Sequence, residues 1–262
     1  VTLAPAGYAL LFGAAFVAGA VNSIAGGGSL LTFFSLILLG VSPLQANATS
    51  TVALLPGSLS SLWGFRAQLD RDHRLLLIVG LPSLIGGVLG ALLLLGLGEA
   101  RFSGLVPWLV LLATLLFIAQ KPLRLLAARR APAPVHAAPL RRRAQLALFC
   151  FQLLVSIYGG FFGSAMGILM LVAFGLCGVA SIHQRNALKH MAAVCINGLA
   201  AIIFLWRGCV QLGPALCMMA AAIAGGYGGA RLALRVGPIW VRRAIIVINL
   251  AIVAAAFWRS QR

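Results

Sequence analysis

The chain has 262 residues, 62% of them hydrophobic and only 9% charged, whereas a soluble domain carries about 25% charged residues. Apolar runs of roughly twenty residues recur along nearly its whole length, which excludes a water-soluble domain and defines an all-α polytopic membrane protein. The net charge of +17 does not indicate nucleic acid. Its cations are almost all Arg, lie between the apolar runs or at the C-terminus, and come with no zinc-finger spacing, RNP-like segment or recognition helix. Such loops face anionic headgroups on the cytoplasmic side.

The first apolar run covers residues 5–24 and stops at Gly26, Gly27 and Gly28. A short run at 29–40 follows, only ~18 Å long at the helical rise and too short to cross a ~30 Å hydrocarbon core unaided. The next, at 44–65, opens with a polar cluster (Gln45, Asn47, Thr49, Ser50, Thr51) and carries Pro56 near its middle, where a kink is expected. Runs at 75–97 and 102–120 complete a first half. Because the chain starts at Val1 rather than Met, processing is expected, and no cleavable signal is expected within it.

Residues 121–143, KPLRLLAARRAPAPVHAAPLRRR, hold seven cations, four prolines and no acid, and read as a cytoplasmic linker. Beyond it the pattern resumes at 145–162, 165–179, 183–206, 210–234 and 238–258. Residues 1–120 and 144–262 are therefore expected to be two transmembrane repeats joined by the basic linker 121–143.

A shift of 139 residues supports the repeat. It places Gly28 on Gly167, Gln45 on Gln184, Asn47 on Asn186 and Ser50 on Lys189, and it sets Gly86, Gly87 and Gly90 on Gly225, Gly226 and Gly229. Charge is rich in one half wherever it is poor in the other. The segment 66–74 has three Arg against one at 205–213, and 97–101 has one against four at 231–243. Opposite orientation of the halves predicts that alternation. The expected fold is two inverted homologous repeats of about four to five helical elements each, with broken or re-entrant helices. Five crossings per half, or three plus a re-entrant hairpin, both satisfy it.

The segment AGGGSLLTFFSLILLGVSPLQANATSTVALLPGSLSSLWGFR at 25–66 resembles the sulfite exporter TauE/SafE family of membrane permeases, and HQRNALKHMAAVCINGLAAIIF at 183–204 is similar to the family's second motif. The family's glycine run and following A-x-x-[TS]-[SN] correspond to Gly26–Gly28, Ala46, Thr49 and Ser50. Phe34 stands where the family commonly has proline, and the second glycine run is diluted to Gly159, Gly160, Gly163 and Gly167. The resemblance implies a two-halved permease of the bacterial inner membrane that moves sulfite, a sulfonate or a related organic anion.

Candidate substrate-binding residues follow from the breaks and the polar positions: Gly26, Gly27, Gly28, Ser29, Gln45, Asn47, Thr49, Ser50, Gln184, Asn186, Lys189 and His190. A cation inside a membrane helix is costly and usually functional, so Lys189 is expected to pair with an anion. The alternative is that Arg185, Lys189 and His190 snorkel to headgroups. Asn47 and Asn186 either cap helices or hydrogen-bond an oxyanion at the positive end of the helix dipole. The glycine triplet either turns the chain and bares backbone N–H groups, or simply lets helices approach. Gly86, Gly87, Gly90 and their counterparts read as helix packing alone.

His183 and His190 are candidates for proton relay, or for capping and headgroup contact. The three acids, Asp70, Asp72 and Glu99, fall at loops. Five cysteines form no CxxC pair and read as small buried hydrophobes. No catalytic grouping, metal site or cofactor is expected. The expected partners are a small anion and anionic lipid, with room for a homodimer. The expected function is alternating-access anion transport, against two alternatives: a passive anion channel and a membrane scaffold without flux.

Overall fold

A computed structural model describes residues 3–24, 27–69, 73–130, 142–177, 179 and 181–233. Gly26, the linker residues 131–141 and the expected run 238–258 lie outside the described residues. Among those described, every regular element is a helix.

Helix α1 (Pro5–Ile24) is apolar up to Asn22 and Ser23 in its last turn and spans about 30 Å. After the glycine break comes α2 (Ser29–Leu38), ten residues and so about 15 Å long. Pro43 opens α3 (Pro43–Gly64), its fixed φ suiting the first helical turn, and α3 continues through Pro56 as helix. A single 3-10 turn, Arg66–Gln68, closes it. The expected runs 75–97 and 102–120 are the two arms of α4 (His73–Arg130), which breaks at Gly98 (φ 75°, ψ 172°) and stays helical ten residues into the basic segment.

The second half follows as α5 (Arg142–Phe161), α6 (Met166–Leu176), α7 (Ile182–Trp206) and α8 (Leu212–Ala233). Helices α1, α4, α5 and α7 are long and apolar enough to cross a bilayer, whereas α2 and α6 are too short. The chain is a polytopic membrane protein. Leu77, Trp108, Leu154 and Trp206 are exposed, as side chains that face lipid are.

The packing partners come in matched sets. Helix α1 lies on α8 and α5 on α4; α3 lies on α8 and α7 on α4; α3 and α7 meet each other. Small residues permit the closest of these approaches. A Cβ on Gly225 would stand 2.0 Å from the Phe16 carbonyl oxygen, and one on Gly90 would stand 2.1 Å from that of Ile157. Of the glycines expected to serve helix packing, Gly86, Gly87, Gly90, Gly225 and Gly226 do so.

Helices α3 and α7 run antiparallel. Phe65, at the end of α3, stacks on His190 near the start of α7, while Val52 shares a buried cluster with Ala201 near the other end. Edge-on aromatic pairs fix the broken segments around them: Phe33 of α2 meets Phe162 at 5.5 Å, and Phe102 of α4 meets Phe161 at 5.7 Å. Contacts of this kind add about 0.5–1.5 kcal/mol each beyond burial.

Candidate functional site

The two breaks and the α3–α7 seam enclose a cavity of about 60 Å³. At about 10–15 Å³ per water position it has room for a handful of waters or one small polyatomic ion. Five positions of α3 line it: Asn47 and the set Ser50, Thr51, Leu54 and Ser58. On α7 the lining positions are Lys189, His190, Ala193 and Asn197. Both sets have the spacing i, i+1, i+4, i+8, one face of a helix, and each residue of one set stands 139 places from its counterpart in the other. The same face of each antiparallel helix therefore looks into the same space.

The breaks supply the rest of the wall. Gly27 lines the cavity at φ +100°, a backbone conformation glycine adopts without steric cost. Ser29 Oγ donates to Ser164 Oγ at 3.2 Å across the two halves, and Tyr158 donates to the Ser164 carbonyl at 2.7 Å. Ser50 and Thr32 share a 2.6 Å hydroxyl contact. Met166, Met170 and Phe162 make the apolar side.

Lys189 is 3% exposed and His190 2% exposed, so neither snorkels to the headgroups. Lys189 Nζ donates to the Asn22 carbonyl at 3.1 Å, near the negative end of α1. Asn47 Nδ2 likewise donates to the Phe161 carbonyl at 3.1 Å, at the end of α5. Asn22 and Phe161 are themselves 139 residues apart. Each half thus donates to a carbonyl in the last turn of a helix from the other half.

The remaining expected residues divide by what they touch. Asn47 lines the cavity but caps nothing; the cap positions are Ser42 and Ser181. The N–H of Gly28 donates to Asn22 Oδ1 at 2.8 Å, and the position its Cβ would take lies against Ala18. Gln45 accepts from Gln211 Nε2, and Thr49 accepts from the Gln211 N–H, both at 3.0 Å; these two serve the α3–α8 contact. Gln184 is half-buried, and buried Asn186 leaves its Oδ1 without a hydrogen-bond partner among the described residues. Neither lines the cavity. Exposed His183 stacks on Phe65 at 6.5 Å, on the approach to His190.

Asn22, Thr51, Ser58, Ser164 and Asn197 line the cavity outside the expected set. Thr51, Ser58 and Asn197 were within reach of the 139-residue shift once the inward face of α3 is known. Asn22 carried a weaker signal, a polar residue in the last turn before the glycine break.

Broken membrane helices that meet around a small, polar, cation-lined cavity make up the architecture of a solute transporter. The family profile of the sulfite exporter TauE/SafE matches residues 11–256, and the chain belongs to that family, one of membrane transporters and not of enzymes. It is 26% identical over 250 residues to a "Probable membrane transporter protein" of Haemophilus influenzae, with 94% of this chain and 92% of that protein covered. It is 30% identical over 260 residues to "Probable membrane transporter protein YfcA" of Escherichia coli K12, covering 96% and 90%.

Proposed function

We propose that the protein is an anion permease that works by alternating access, with the anion held in the α3–α7 cavity. The observation that carries this reading is a buried ammonium, Lys189, in a cavity lined otherwise by hydroxyls, amides and apolar groups. No carboxylate is among the described lining residues, and an ammonium buried beside hydroxyls and amides in a membrane cavity suits an anionic guest. The volume suits a small oxyanion such as sulfite or a short sulfonate.

Antiparallel α3 and α7, the matched packing partners and the matched lining positions support two inverted repeats, residues 1–120 and 144–262. In such a pair, rocking of one half against the other exposes a central site to each side in turn. The alternation of Arg along the sequence supports a cytoplasmic linker in the bacterial inner membrane.

Lys189→Ala tests the reading. In proteoliposomes the wild type should support counterflow of labelled sulfonate, and the variant should lose it by about 10²-fold or more, as expected when a buried charge partner is removed. Its thermal transition without ligand should persist. Retained counterflow in the variant would remove Lys189 from the site, and wild-type flux without counterflow would indicate a pore.

A further inference from the structure

We propose that Nε2 of His190 is a proton site inside the anion cavity, so that one proton accompanies each oxyanion bound there. The inference rests on the anion-permease reading and adds a second ligand to it.

His190 is almost wholly buried and lines the cavity. Its ring bonds the backbone of Ser23, while Nε2 has no partner among the described residues. The bonded nitrogen is therefore Nδ1, which donates its hydrogen to the Ser23 carbonyl and leaves a bare lone pair on Nε2. An unpaired buried acceptor is costly, and nothing in the α7 helix requires it.

The surroundings limit what can satisfy that lone pair. On α7 the neighbouring charge is Lys189; His183 lies beyond the Phe65 ring, which stacks on His190 at 5.7 Å. The facing positions of α3 are Ser50, Thr51, Leu54 and Ser58, those of α6 are Met166 and Met170, and α1 contributes Asn22. Helix α4 meets α7 through Gly87 at Ile196, and Tyr158 of α5 is committed to Ser164. None of these side chains carries a negative charge.

With the cavity empty, a proton on Nε2 would sit beside the Lys189 ammonium. An anion between them offsets that ammonium and favours the charged imidazole. The complementary guest is therefore an anionic oxygen for Lys189 together with one proton for His190. An oxyanion that retains an O–H, such as hydrogensulfite, brings the proton with it and donates the O–H to Nε2. A sulfonate has no such proton, so its binding draws one from solution onto the imidazole.

Methanesulfonate separates the two sources, because any proton bound with it is bound by the protein. Its binding to the full-length protein in detergent at pH 7 is measured calorimetrically in two buffers of different ionisation enthalpy. Wild type should take up as much as about one proton per anion. His190→Gln should show proton uptake near zero at whatever methanesulfonate affinity it retains, and His183→Gln should behave as wild type. His190→Thr, which places at 190 the residue the first half carries at 51, repeats the test if glutamine impairs folding. Methanesulfonate binding by the wild type without proton uptake, or equal uptake by the His190 variants, overturns the proton site and leaves the permease reading standing. Failure of both methanesulfonate and sulfite to bind would remove that reading, and the proton site with it.

Discussion

Ala165 holds φ 64°, the one non-glycine residue with positive φ among those described, and it does so at the N-cap of α6. Its counterpart 139 residues earlier is a glycine. A left-handed conformation costs an L-residue about 1–2 kcal/mol, and glycine relieves that at the expense of ~0.4–1 kcal/mol of unfolded-chain entropy. Ala165→Gly should therefore leave the melting temperature unchanged or raise it. The opposite change at the first break, Gly27→Ala, should lower it, because the added Cβ would stand 2.8 Å from Phe117 at a φ that alanine resists. Thermal melts in one detergent compare the two. At this scale the sequence exposed the positions and hid their use. Gln45 and Thr49 looked like ligand groups because polar atoms in a membrane helix need partners. Gln211 turned out to be that partner, and no pattern in the chain distinguishes a protein partner from a bound solute.

Helix α3 depends on an acid from another helix. Ser42 makes no capping bond of its own; its Oγ donates to Glu99 at 2.9 Å, and the Leu44 N–H donates to the same carboxylate at 3.3 Å. The carboxylate also faces the positive end of the α3 dipole. Glu99→Ala should destabilise the protein by about 1 kcal/mol, discounted for an exposed group, and Glu99→Gln by less because an acceptor remains. Chemical denaturation of the two variants measures the difference. Most element boundaries were legible to within about three residues, because lipid dictates how long an apolar run must be and glycine or proline marks where it stops; the end of α4 at Arg130, inside the expected linker, was not. The junction at Gly98 was less legible, since one left-handed residue between two apolar runs joins them into an angled pair, and hydropathy records only the runs.

The arrangement of the whole chain turns on whether the ends of α3 and α7 reach opposite membrane faces. Single cysteines at Ala67 and Gly208, in an otherwise cysteine-free protein, should be labelled by an impermeant maleimide from opposite sides of oriented vesicles. Labelling from one side would remove the inverted-repeat reading. One ungapped shift suggests a repeat in the sequence, but the partners in the assembled molecule, α1 with α8 and α5 with α4, were not legible there. Those contacts depend on close approach of small residues across the two halves, which no local pattern reveals.

The exchange between Lys189 and the Asn22 carbonyl, and between Asn47 and that of Phe161, also bears on biogenesis. In a newly inserted N-terminal portion the Asn22 carbonyl at the tip of α1 lacks the Lys189 ammonium that it accepts from, because that residue has yet to be translated. Each portion is thus an incomplete solvent for its own backbone until its sibling arrives. Maturation of this protein is expected to be a joining of two waiting pieces, and its quality control to act on whichever piece is left waiting.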